Sequence, residues 1–190
     1  MVFMVLTEGL DERSIIERVL SGERDEFAHL VRAHQARIYA LIVRQVGMAQ
    51  VAKDLMQDTL LKAYLNLEKF RFECAFSTWL VRIALNVTSS YFKSRLFHEH
   101  RQNVELLKTE HLANVHGSGD EKFASHDIER LRTCIGLLDP KYREVLVLCS
   151  FEGRTYEEAG DILDVPAGTV SSRMNVARNM LRRKFHKRNI

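Results

Sequence analysis

Apolar residues recur along this chain at intervals of three and four, the spacing that puts side chains on one face of an α-helix. From Ser14 to Leu20 the stripe is Ile15, Ile16, Val19 and Leu20, and Ser21-Gly22 ends the segment. A longer stripe follows, with Phe27, Leu30, Val31, His34, Ile38, Leu41 and Ile42 on one side and Gly47 closing it. A third helix is predicted from about Val51 to Leu67, burying Leu55, Met56, Leu60, Ala63, Tyr64 and Leu67. The period breaks over Phe70–Ala75, which predicts a loop. It resumes near Ser77 with Trp79, Leu80, Ile83, Ala84, Val87 and Tyr91.

Between about Phe97 and Ser125 the periodicity fades, and His116-Gly117-Ser118-Gly119-Asp120 has the composition of a linker. Beyond it the helices are well punctuated. Ile128, Leu131, Cys134, Ile135 and Leu138 mark one helix, and Asp139-Pro140 supplies an N-cap with proline at the first position of the next. That helix turns Val145, Leu146, Leu148 and Cys149 inward and stops at Gly153. Thr155-Tyr156-Glu157-Glu158 reads as a capping box opening a short helix that ends near Leu163. Asp164-Val165-Pro166 makes a turn, and a last helix runs from about Ala167 toward Lys187. The pattern therefore predicts an all-α protein of two small helical domains, residues 1–97 and 126–190, joined by a flexible linker over 98–125.

Composition agrees with this picture. Only 9 Gly and 2 Pro argue against an all-β sandwich, and 46% hydrophobic with 28% charged residues fits a globular chain. The net charge of +3 is mild but unevenly spread. No acidic residue follows Asp164, whereas Arg173, Arg178, Arg182, Arg183, Lys184, Lys187 and Arg188 crowd the stretch from Ser171 to Ile190, which suggests a polyanionic partner there. The first 26 residues lean acidic. Cys74, Cys134 and Cys149 form no CxxC pair, which favours a reducing compartment over a disulfide framework or a zinc site. Met1–Leu6 is short and lacks a basic leader, so it does not read as a signal peptide, and no run is long enough to enter a bilayer.

A capped helix of about two turns, a tight turn and a longer basic helix make a helix-turn-helix signature. Ala159 and Gly160 are small enough to let the two helices cross closely, and Val165, Val170 and Met174 can fill the seam. The opening of the last helix offers Thr169, Ser171, Ser172 and Asn175 to base edges, while Arg173, Arg178, Arg182 and Arg183 can neutralise phosphates. An ordinary helical hairpin with a solvated basic face would share the charge. It would not need the cap, the turn and the charge together.

The stretches Leu137–Leu146, Gly153–Glu158 and Val165–Arg173 resemble region 4 of the extracytoplasmic function (group IV, sigma-70 family) bacterial sigma factors. Asp54-Leu55-Met56-Gln57-Asp58-Thr59 is similar to the polymerase-binding segment of their region 2, and Phe70–Asn86 to its promoter-melting segment. The resemblance covers about residues 11–95 and 126–185. It implies that Asp54, Gln57, Asp58 and Leu61, at helical spacing opposite a core stripe, dock on core RNA polymerase. It further implies that Arg71, Phe72, Phe76, Arg82, Asn86 and Lys93 open and hold the −10 element, where rings suit bases and cations suit phosphates. Thr169, Ser171, Ser172, Arg173, Asn175 and Arg178 would read the −35 element. An anti-sigma factor, anchored in the inner membrane in many relatives, is the implied regulator. The chain itself would stay cytoplasmic, need no cofactor or metal, and catalyse nothing.

Two departures from the family pattern stand out. Phe72 and Cys74 occupy loop positions that are often polar or small in relatives, and Ser171 stands where many carry Lys or Arg. The −35 preference is therefore expected to be this chain's own, with Asn175 able to pair an adenine edge. Trp79 lies on the core stripe and is expected to pack, leaving the loop Phe70–Ala75 as the candidate base pocket. The alternative function is a stand-alone helix-turn-helix repressor or activator, which would need a dimerisation element; a helical scaffold with an incidental basic tail would leave Phe70–Lys93 without a purpose. His98-Glu99-His100 lacks a third metal ligand, and the sequon Asn86-Val87-Thr88 lies inside a helix. No carboxylate pair or Gly-rich phosphate loop suggests an active site.

Overall fold

The computed structural model describes residues 11–101, 131 and 134–186. Those residues form helices and turns with no strand. In chain order the helices are α1 (Glu12–Leu20), α2 (Phe27–Val46), α3 (Ala49–Leu65), α4 (Phe76–Arg101), α5 (Pro140–Ser150), α6 (Tyr156–Leu163) and α7 (Ala167–His186). Short 3₁₀ turns at Arg24–Glu26 and Leu67–Lys69 join α1 to α2 and lead out of α3. The chain divides into two compact units, residues 1–43 with 48–87, and 44–47 with 88–190.

The first unit has the core that the stripes predict. Ile15, Ile16 and Val19 of α1, Phe27, Leu30, Ile38, Leu41 and Ile42 of α2, and Leu55 and Ala63 of α3 are buried, with Leu80, Ala84 and Val87 of α4. Leu20 differs from expectation: it is 43% exposed, because α1 is ending there and Gly22, at φ +114, turns the chain away. Leu67 is buried but not by α3, which stops two residues earlier; the 3₁₀ turn carries it inward. Gly47 takes φ +75 and closes α2 as expected. His34 is buried with its Nε2 2.8 Å from the Glu12 carboxylate, which ties α1 to α2.

In the second unit Ile135, Leu138, Leu146, Met174 and Ala177 pack as one cluster, with Tyr142, Cys149, Tyr156, Met180 and Leu181 partly buried around it. Cys134 is buried as the stripe predicts, whereas Leu131 is 39% exposed and Ile128 lies outside the described residues. Val147 is fully buried beside the expected Val145, Leu146 and Leu148, so α5 is enclosed around its circumference rather than along one stripe. Asp139 holds the N-cap position of α5, but with its backbone and not its side chain. The Asp139 carbonyl accepts from the Tyr142 and Arg143 amides at 3.0 Å each. α5 ends at Ser150, three residues before the predicted stop. Gly153 instead takes φ +67 in the following turn, where the Arg154 amide reaches back to the Leu148 carbonyl at 3.0 Å.

α4 continues through residue 97, the expected edge of the first domain, to Arg101. The expected linker beyond it, with His116–Asp120, lies outside the described residues, as do the side chains of His98–His100. No helix among the described residues is long and apolar enough to cross a membrane.

Candidate nucleic-acid interface

The helix-turn-helix is assembled from α6, the turn at Asp164–Pro166 and α7. The capping box forms as read: the Glu158 amide donates to Thr155 Oγ1 at 3.1 Å, and the Thr155 amide donates to the Glu158 carboxylate at 2.9 Å. Asp164 takes the left-handed conformation, φ 54 and ψ 49, which stops α6 and swings the chain into α7. The Val165 amide returns to the Gly160 carbonyl at 3.0 Å, and a Cβ on Gly160 would lie only 2.6 Å from the Val165 carbonyl oxygen. Gly160 is therefore required by the turn backbone, a tighter constraint than the helix crossing inferred from composition.

The bond to Thr155 holds the Glu158 carboxyl below the ordinary carboxylate range, helped by Arg154. A carboxylate lowered in this way stabilises the folded form fully above about pH 4.5, its ordinary value, and the contribution fades as pH falls through the lowered folded value. Glu158→Gln should therefore flatten the acid side of the stability profile while barely changing it under more acidic conditions, a difference that thermal unfolding at stepped pH would read. Thr155→Ala is expected to cost ~1 kcal/mol by removing the cap.

Val170, Met174 and Ala177 are the buried side of α7. Successive residues rotate by about 100°, so Ser172 and Asn175 point away from the core, and both are exposed, as is Arg178. Thr169, Ser171 and Arg173 sit on the flanks and are half-buried. Arg173 lies near enough to Glu144 of α5 to offset part of the burial that pushes the Glu144 carboxyl up. Two further exposed residues share the outward side with Ser172 and Asn175: Val176 and Asn179. The three- and four-residue steps from Ser172 and Asn175 lead to both.

In the first unit the loop after α3 is built on aromatic rings. Phe70 is buried, with its ring centroid 4.9 Å from Phe72, 5.6 Å from Phe76 and 5.2 Å from Trp79. Trp79 packs as expected, against Phe70 and Phe76. Phe76 itself is only 3% exposed and also meets His34 at 5.4 Å, so it supports the loop from below rather than offering a ring at the surface. Phe72 is half-buried, has φ 57, and carries the Arg13 guanidinium over its ring at 4.7 Å. Arg71 is exposed. Along α4, Arg82, Asn86, Ser89 and Lys93 follow a four-, three- and four-residue step that keeps them on one stripe. Asn86 and Lys93 are exposed, and Arg82 and Ser89 are half-buried.

On α3, Asp54, Gln57, Asp58 and Leu61 are all exposed, opposite the buried Ala52, Leu55, Thr59 and Ala63. Thr59 satisfies its hydroxyl within the helix, on the Leu55 carbonyl at 2.7 Å. Leu65, one turn beyond Leu61, extends the face and is 67% exposed, against 56% for Leu61. Leu65 lies within the predicted helix, and a four-residue step from Leu61 leads to it. Among the described residues no group of three His, Cys, Asp or Glu is placed to hold a metal ion.

A helical unit with an acidic-apolar face and an aromatic loop, followed by a helix-turn-helix unit, defines a two-part promoter-reading protein. The sigma-70 region 2 family model matches residues 30–96, and the sigma-70 region 4 model matches residues 128–181. The chain is 32% identical to the ECF RNA polymerase sigma-E factor of Haemophilus influenzae, over 95% of this chain and 98% of that protein. CnrH, solved in complex with the cytosolic domain of CnrY, matches 90% of this chain and 94% of its own with a TM-score of 0.61 and 26% identity. The sigma factor RpoE of Bartonella quintana, solved with the anti-sigma factor NepR, shares the fold over 87% of this chain and 99% of its own, with a TM-score of 0.68 and 24% identity. The chain belongs to the sigma-70 family, among its extracytoplasmic function members. It is a sigma factor, directing RNA polymerase to promoters, and the two regions in this order do not favour a stand-alone helix-turn-helix regulator.

Proposed function

We propose that the exposed α3 face of Asp54, Gln57, Asp58, Leu61 and Leu65 docks on core RNA polymerase, and that this unit, ending near residue 97, opens the −10 element. Arg71 and Phe72 of the loop, with Arg82, Asn86 and Lys93 of α4, meet the separated strand, while Phe76 holds the loop in place. The unit beginning near residue 126 reads the −35 element through Ser172, Asn175, Val176 and Asn179, with Arg178 on phosphate and Thr169, Ser171 and Arg173 at the edges of the contact. The observation that carries the docking assignment is that Asp54, Gln57, Asp58 and Leu61 are all exposed on a helix whose opposite side is core. Charged groups ringing exposed leucines suit a protein interface with an apolar centre and a polar rim.

The chain works as a cytoplasmic, non-enzymatic initiation factor. By its likeness to CnrH, which was solved with the cytosolic domain of CnrY, this chain is held inactive by a membrane-anchored anti-sigma factor that covers the same faces. Run-off transcription with purified core polymerase on a promoter library tests the whole reading. Promoter-specific initiation is expected, and transcripts no different from those of core alone would refute it. For the docking face, Asp54→Ala with Asp58→Ala should weaken core binding about tenfold or more. Both residues are exposed, so the circular dichroism spectrum and melting midpoint should not move; unchanged core affinity would count against the face.

A further inference from the structure

We propose that Arg13 of α1 belongs to the single-strand site, contacting the phosphate of the base that stacks on Phe72. This rests on the assignment of Phe72 to the −10 strand and adds a residue from a helix that assignment does not include. Phe72 is one of only two non-glycine residues with positive φ among the described residues. A bulky side chain in that conformation is strained and needs the surroundings to hold it. Two contacts do so: Phe70 at 4.9 Å and the Arg13 guanidinium over the ring at 4.7 Å. Arg13 is 66% exposed and is aimed by Glu17, one turn on, at 3.0 Å.

An exposed cation over a half-buried ring is held weakly, whereas a nucleobase stacks on such a ring more strongly. A base arriving at Phe72 therefore takes the ring face from Arg13. The displaced guanidinium stays tethered to α1 within reach of that base's own phosphate, and a forked donor suits phosphate oxygens. The arginine thus marks, before DNA arrives, where the strand will pass. It belongs to the chemistry of single-stranded DNA rather than duplex, because the ring needs an unstacked base.

The test uses holoenzyme assembled with core polymerase and a labelled pool of random-sequence single-stranded 12-mers, with core alone as the blank. Phe72→Gly is the first variant; glycine accepts the positive φ without strain, so folding is not at risk. It should weaken binding about fivefold or more. Arg13→Ala should lower the slope of log affinity against log salt by about 0.7, the loss of one single-strand phosphate contact. Arg13→Lys should retain the slope. An unchanged slope in Arg13→Ala alongside weaker binding in Phe72→Gly would overturn this inference and leave the loop assignment standing. No effect from either variant, or no binding above the blank, would overturn both.

Discussion

Gly160→Ala should destabilise the helix-turn-helix by about 3 kcal/mol, the upper part of the range for an overpacked site, and abolish −35 binding. The added Cβ would meet the Val165 carbonyl oxygen at 2.6 Å and the Ala167 amide nitrogen at 3.4 Å. Both are backbone atoms of the turn, so no side chain can rotate out of the way. The turn cannot yield cheaply either. It is held by the Val165 amide on the Gly160 carbonyl and by Thr169 and Val170 amides on the Pro166 carbonyl at 2.8 and 3.2 Å. Any relief must tilt α6 against α7 and open the seam filled by Val170 and Met174. Amide hydrogen exchange of the intact chain would show it: protection across α6 and α7 should collapse while α2 stays protected. Undiminished protection would mean that the turn absorbs a methyl group that its geometry excludes.

Arg143→Met should cost about 3 kcal/mol or more, because it strands several buried acceptors at once. The guanidinium donates to the carbonyls of Ile135 at 3.1 Å, Gly136 at 2.6 Å and Leu138 at 2.6 Å. These carbonyls lie at the end of the helical segment before α5 and in the bend after it, where backbone acceptors run short of amide partners; that of Ile135 also accepts from a nearby amide, Leu138, at 3.1 Å. One side chain thus closes the end of one helix from the body of the next. Burial pushes the guanidinium down to about 10, which leaves it charged throughout the neutral range. Methionine matches the volume but donates nothing. Lysine keeps the charge but lacks the planar fork, so Arg143→Lys should fall between the two in denaturant unfolding. A methionine variant as stable as the parent would show that water satisfies those carbonyls.

The helices and their inward faces were legible because each rests on local periodicity, as in the run from Phe27 to Ile42. The capping box was legible for the same reason, since Thr155 and Glu158 are three residues apart and answer each other. What the sequence hid depends on approach between segments distant along the chain. Arg143 looks like one more surface cation until the carbonyls it donates to are brought to it. Phe76 looks like a candidate for DNA until Phe70, His34 and Trp79 close over it. Leu20 reads as core because a stripe does not say where the chain will turn. Arg13 had no signal at all: nothing in its neighbourhood points to a ring 59 residues away. The chemistry of the recognition helix was half legible. Ser172, Asn175 and Arg178 are exposed, whereas Thr169, Ser171 and Arg173 are half-buried once Val170, Met174 and Ala177 define the buried side.

The aromatic floor of the loop has a practical consequence. Trp79 is the chain's single tryptophan, and it touches the rings of Phe70 and Phe76 at 5.2 and 5.6 Å. Its emission in the free protein therefore reports on one place alone, the packing beneath the segment that would receive a separated strand. The protein carries its own optical gauge of that loop, readable without a dye or a label.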